Sequence, residues 1–215
     1  MNQSPMFSLG PNALDPSRQM LVPLAGLMMR AEGMKSILKK AAPGETLRIF
    51  VETGTADATT ACGMLNRFEV VHSIELSEPL YKNALRNFGG TRINFHHGDS
   101  AEVLPRLIRE ELPPDEPVVF YLDAHWCDAY DGRAAQGQFP LWTELNAIRD
   151  LREPEDIVII DDVHAFGAER DDAPWWAEVT PKRIVAELCP ADCGTRVWQY
   201  NDELVLRPLK EKVPA

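Results

Sequence analysis

The chain has 215 residues, 45% of them hydrophobic and 26% charged, with 33 acidic against 22 basic side chains and a formal net charge of −11. That length can bury a full core in one domain without disulfides or metals, and the mix of apolar and charged residues excludes extended disorder. The negative charge repels nucleic-acid backbones and anionic membrane surfaces, which leaves a small molecule as the expected partner.

Residues 1–19 are rich in Pro, Ser, Asn and Gln and are expected to form a mobile arm. The opening MNQSPMFSLG lacks the basic patch and apolar core of a secretory signal. No run in the chain reaches the roughly 18 apolar residues of a membrane span, so a cytoplasmic location is expected. Residues 20–46 predict a helical cover with Leu24, Leu27, Met28, Ala31 and Leu38 on one side, packed on a sheet or on a partner subunit.

Residues 47–215 are expected to form one domain. Five β-rich runs organise it: LRIFVET from Leu47, VVHSIEL from Val70, INFHHGD from Ile93, VVFYLDA from Val118 and IVIIDDV from Ile157. The first four begin roughly 23 to 25 residues apart, the length of a strand, turn, helix and return loop. Their apolar residues are consecutive rather than alternating, as in parallel strands covered on both faces. Ser77 and Ser100 stand where caps would open helices over SEPLYKNALRNF and AEVLPRLIREEL, while Leu141, Leu145 and Ile148 form one face of another. Thr180 and Pro181 read as a cap and first turn, and TRVWQY and ELVLRPL flank Asn201 and Asp202 as an antiparallel hairpin. Of the four cysteines, only Cys189 and Cys193 are neighbours. Their spacing permits a local disulfide or half a metal site, but no matching pair exists and reduced thiols are expected.

In a doubly wound sheet, ligands gather at the carboxyl ends of strands. The polar residues of this chain collect there: Glu52, Gly54, Thr55 and Ala56 after the first run, Glu75 after the second, Asp99 and Ser100 after the third, Asp123 after the fourth, Asp161 and Asp162 after the fifth. VETGTADATTA carries one glycine where the nicotinamide fingerprint needs three, which disfavours a pyrophosphate loop. Glu52 suits a cationic amine and Glu75 can accept from two ribose hydroxyls, so an amino acid joined to a nucleoside fits.

Taken in order, VETGTADATTA, VVHSIELSE, HHGDSAEVLP, VVFYLDAHW and IVIIDDVHAF resemble the successive motifs of Rossmann-like S-adenosylmethionine-dependent methyltransferases, from about Leu47 to Leu206. The resemblance implies a three-layer α/β fold with a mostly parallel seven-stranded sheet closed by an antiparallel hairpin. It implies S-adenosylmethionine as cofactor, with Glu52, Gly54 and Ala56 at the methionine part, Glu75 at the ribose, Asp99 and Ser100 near the adenine, and Thr55 and Leu76 also among the cofactor-binding residues.

Asp123, Asp161 and Asp162 look similar to the acidic ligands of cation-dependent O-methyltransferases, which implies a divalent cation, Mg²⁺ or alternatively Ca²⁺ or Mn²⁺. Asp123 would then sit where the cofactor and cation sites meet. The chain departs from the catechol-type members by Ala124 before His125 and Trp126, and it has no lysine in that stretch. His125 and His164 are the candidate bases, since histidine titrates near neutral pH. Each reading has a plainer competitor: Asp161 as a cap, Asp162 as a solvated charge, the histidines as hydrogen-bonded loop residues. His72, His96 and His97 are expected to be structural. Trp126, Tyr130, Trp142, Phe166, Trp175 and Trp176 are expected to wall an acceptor pocket or pack the core, with Trp175 and Trp176 alternatively meeting a second copy in a homo-oligomer.

The expected activity is cation-assisted transfer of a methyl group to the hydroxyl of a small molecule. The alternatives are a metal-independent methyltransferase, a noncatalytic S-adenosylmethionine-binding module and a nicotinamide oxidoreductase.

Overall fold

The computed structural model describes residues 24–124, 139–152, 155–171, 173–189 and 194–208; the arm at 1–19, His125, Trp126 and Tyr130 lie outside the described residues. The strands are β1 (Ile49–Thr53), β2 (Val70–Glu75), β3 (Ile93–His97), β4 (Val118–Leu122), β5 (Ile157–Ile160), β6 (Thr195–Tyr200) and β7 (Glu203–Pro208). They form one sheet in the order β3-β2-β1-β4-β5-β7-β6. Pairing is parallel from β3 to β5, and β7 runs antiparallel to both β5 and β6. The helices are α1 (Leu24–Ala41), α2 (Thr59–Met64), α3 (Glu78–Phe88), α4 (Ser100–Glu110), α5 (Leu141–Leu151) and α6 (Pro181–Leu188).

Every residue of β1, β4 and β5 is buried, as the unbroken apolar runs require. Successive side chains feed two cores. Val118, Phe120, Leu122, Val158 and Ile160 meet Leu104, Leu107, Leu145, Ile148 and Ile184 from α4, α5 and α6. Val119, Tyr121, Ile157 and Ile159 face the other way, onto Met34, Ile37 and Leu38 of α1 and Met64 of α2. The result is the expected three-layer α/β architecture. Arg207 of β7 donates to the Ala41 carbonyl at the end of α1 and pairs with Glu45, 2.7 Å away, which fastens α1 to the sheet. No helix among the described residues is long and apolar enough to cross a membrane.

Several local details differ from expectation. Asp99, not Ser100, is the cap of α4: its backbone is extended and its Oδ1 accepts from the Ala101 amide at 2.9 Å, while Ser100 is the first helical residue. Ser77 occupies the cap position of α3 without a side-chain hydrogen bond. Thr180 does cap α6, accepting from the Arg183 amide at 3.2 Å. Cys189 is disulfide-bonded, so the thiols are not uniformly reduced; among the described residues Cys62 is free and buried. Trp176 is buried, stacks on Phe166 and meets Phe139 edge-on, and Arg183 lies 4.2 Å over Trp142. These aromatics close the core over α5 and α6.

Candidate functional site

The order reversal between β1 and β4 opens a crevice at the carboxyl ends of those strands, the general ligand position of such sheets. Gly54 turns out of β1 at φ +86°, and a Cβ there would stand 2.3 Å from the Asp123 carbonyl oxygen. Glycine is therefore required by both conformation and space. The next turn needs left-handed backbone as well, and it gets it without glycine: Ala56 and Ala58 sit at φ 46° and 62°. The glycine-poor loop thus keeps its tight shape at a strain of about 1 to 2 kcal/mol per alanine.

Glu75 ends β2 beside this loop. Its Oε2 accepts from the Ala56 amide at 2.9 Å and its Oε1 from the Ser77 amide at 2.8 Å. Two backbone donors hold the carboxylate in one orientation, and each oxygen retains a lone pair for a further donor. Leu76, 43% exposed, follows it as an apolar surface. One strand over, the Gly98 amide bonds the Glu75 carbonyl at 2.9 Å, bringing the half-buried Asp99 and buried Ser100 alongside.

Glu52 is fully buried in β1. Ser73 donates to its Oε2 at 2.6 Å and is itself 2.6 Å from the Thr55 hydroxyl, so the residue expected to hold an amine heads a buried polar chain. Burial pushes its pKa up to about 8, with the Ser73 bond and Arg30 pulling the other way.

The β4 and β5 ends carry the remaining acids. Burial raises Asp123 well above the usual carboxylate range, and Asp161, Asp162 and Glu52 add to the rise. Asp161 has both oxygens engaged: Tyr121 donates to Oδ2 at 2.6 Å and the Asp162 amide to Oδ1 at 2.9 Å. The Tyr121 hydroxyl in turn accepts from Arg30 at 2.8 Å, and that guanidinium lies 3.5 Å from Asp161. Asp162 takes left-handed backbone at φ 63°, which aspartate tolerates better than most residues, and leads into a short turn at Val163–Ala165. In that turn His164 pairs through Nδ1 with Asp202 Oδ2 at 2.6 Å and donates its amide to Asp202 Oδ1 at 2.9 Å. The Asp202 bond raises the His164 pKa.

The carboxylates are therefore grouped differently from the expected cation triad. One ligand atom each from Asp162, His164 and Asp202 lies within 4.8 Å of the others, whereas Asp161 faces Tyr121 and Arg30. A cation taken by Asp123, Asp161 and Asp162 would share Asp161 with a guanidinium and a phenol, so the described geometry lends that donor set no support. Arg30 and Asp202 escaped the sequence reading because their partners lie far away in the chain; the hairpin turn NDE was the one signal near Asp202.

Beside the acids, a cleft of about 290 Å³ opens between α1, α2 and the β6–β7 turn, lined in part by Met29, Arg30, Met34, Thr60, Tyr121 and Glu203. This end of the sheet presents the acceptors of the clamped Glu75 and crowded acids that favour positive charge, while Gly54 lets the loop pack on the Asp123 backbone.

No protein-family model matches the sequence, and no curated protein does. Solved structures share the architecture. An S-adenosylmethionine-bound amino pentose methyltransferase from Micromonospora echinaspora aligns at TM-score 0.54 and 12% identity over 85% of this chain and 92% of that one. An S-adenosylhomocysteine-bound methyltransferase from Podospora anserina aligns at 0.54 and 14% over 90% and 91%. An S-adenosylmethionine-dependent methyltransferase from Aquifex aeolicus aligns at 0.52 and 15% over 90% and 93%. The chain has the Rossmann-like fold of S-adenosylmethionine-dependent methyltransferases.

Proposed function

We propose that the protein is an S-adenosylmethionine-dependent methyltransferase acting on a hydroxyl of a small molecule. The observation that carries the reading is Glu75, fixed by the Ala56 and Ser77 amides beside the Gly54 turn. When bound, the cofactor supplies an electrophilic methyl on a sulfonium. Glu75 accepts from the ribose hydroxyls, Leu76 lies against the adenine, and Asp99 and Ser100 border it. Glu52, in a chain with Ser73 and Thr55 behind the Gly54–Ala56 loop, ionises beside the methionine ammonium, which belongs there.

The cleft beneath α1 receives the acceptor, with methionines along its body and Arg30 and Tyr121 at its polar end. His164 supplies the base. With Nδ1 engaged by Asp202, Nε2 is the nitrogen left to take the hydroxyl proton, and the carboxylate stabilises the imidazolium that results. No step is routed through a divalent cation, although the resemblance implied one, because Asp161 is held by Arg30 and Tyr121.

The test is calorimetry with S-adenosylhomocysteine. The parent should bind, and Glu75→Gln should bind at least about tenfold more weakly through loss of charge-assisted hydrogen bonds. No binding by the parent overturns the reading. Once a turned-over acceptor is in hand, the rate should rise with pH through the raised His164 pKa, and His164→Gln should flatten that limb. A chelator should leave the rate unchanged.

A further inference from the structure

His72 and His96 take no part in this chemistry, yet they are not isolated. In the β2–β3 register His72 pairs with Asn94 and Ile74 with His96, so both imidazoles project from the face that α4 covers. Their rings stack 5.3 Å apart, and His72 Nδ1 lies 3.0 Å from His96 Nε2. Glu111, just past the end of α4, brings Oε2 to 3.9 Å from His72 Nδ1 and Oε1 to 4.0 Å from His96 Nδ1. One ligand atom from each of the three residues lies within 4.8 Å of the others.

The two nitrogens share a hydrogen bond here, a little closer than the roughly 3.3 Å that separates two nitrogens bound tetrahedrally to zinc at about 2.0 to 2.1 Å, so a slight opening of the pair admits the ion in place of the shared proton. Two imidazoles with one carboxylate form a donor set that zinc takes, as does ferrous iron, and zinc needs no redox partner to stay bound. Burial lowers the pKa of both rings, His72 to about 4, so at neutral pH both are in the uncharged form that ligates metal. His72 is buried and His96 half-buried, while Glu111 keeps 47% of its side chain in solvent. The site is therefore anchored on the sheet and open on one side, where Glu111 can rotate inward and water can complete the shell.

We propose that His72, His96 and Glu111 form a Zn²⁺ site that ties β2, β3 and the end of α4 together. It is independent of the methyltransferase reading. Its consequence for that reading is positional: β2 and β3 run on into Glu75 and Asp99, so zinc stiffens the strand pair that carries them.

The experiment uses the full chain, freed of metal by chelation and dialysis, titrated with Zn²⁺ in the calorimeter and with Co²⁺ by visible absorption. The parent should take up a single equivalent at this cluster, develop the ligand-field band of a low-coordinate Co²⁺ site, and melt at higher temperature with Zn²⁺. His96→Gln and Glu111→Gln, both at partly exposed positions, should each weaken uptake by about tenfold or more and lose the melting shift. Asp202→Asn should retain both. The proposal is overturned by absence of saturable uptake in the parent, by uptake undiminished in both cluster variants, or by uptake that disappears in Asp202→Asn instead.

Discussion

The two ends of β4 and β5 treat buried acids in opposite ways. At the amino end, Asp156 receives the Val118 amide at 2.8 Å and a bidentate grip from Arg152 at 2.8 and 3.1 Å. Arg152 spends its remaining donors on the Pro113 and Glu116 carbonyls at 2.7 and 2.6 Å. Burial still raises the Asp156 pKa, with Arg152 opposing the rise, but both carboxylate oxygens have partners in the protein. At the carboxyl end, Glu52, Asp123, Asp161 and Glu203 share the field of Arg30, whose side chain is 40% exposed. One end is a closed structural pair. The other gathers acids around one partly exposed guanidinium among the described residues, and burial holds Glu52 and Asp123 toward their neutral forms, so a cation placed beside them would ionise them.

The sharpest break of this contrast is Arg152→Ala. Leaving Asp156 buried without its guanidinium should lower stability by about 3 to 5 kcal/mol in chemical denaturation, while S-adenosylhomocysteine affinity of the folded fraction stays unchanged. Gly54→Ala should cost about 2 to 3 kcal/mol, because the methyl meets the Asp123 carbonyl and the backbone strains, and it should also abolish binding. Loss of binding without loss of stability would mean the loop moves freely from Asp123.

The smallest effect has the opposite sign. The folded-state pKa of Glu52 lies near 8, above its ordinary 4.5, so the folded chain keeps a proton that the unfolded chain gives up. Stability therefore falls as pH rises from about 4.5 to about 8, and Glu52→Gln should be more stable than the parent by about 2 kcal/mol at pH 6, but not at pH 4. An ammonium placed beside Glu52 ionises it, so S-adenosylmethionine binding at pH 7 should release protons, detected as a buffer-dependent heat. Glu52→Gln should remove that dependence.

How much was legible follows from where each residue finds its partners. The position of Glu75 at a strand end was readable because strand ends can be located from apolar runs alone, and its clamps, the Ala56 and Ser77 amides, belong to loops that adjoin such ends. The IVIIDD signature was readable as an unusual strand end but not as a particular one. Its first aspartate receives the amide of the second and the hydroxyl of Tyr121, and its second opens a left-handed turn. Two adjacent acids can therefore serve a turn and an ion pair as well as a metal.

The sequence by itself determined the strand runs, their parallel order of connection, the closing hairpin and the end of the sheet where polar residues collect, because those depend on periodicity and short-range turn chemistry. Only the tertiary structure decided which charges meet. Arg30 reaches Asp161 from α1, Asp202 reaches His164 from the β6–β7 turn, and His72, His96 and Glu111 converge from three elements. Side-chain pairing across a sheet depends on register and on the helix laid over it, and neither is written at a fixed spacing along the chain.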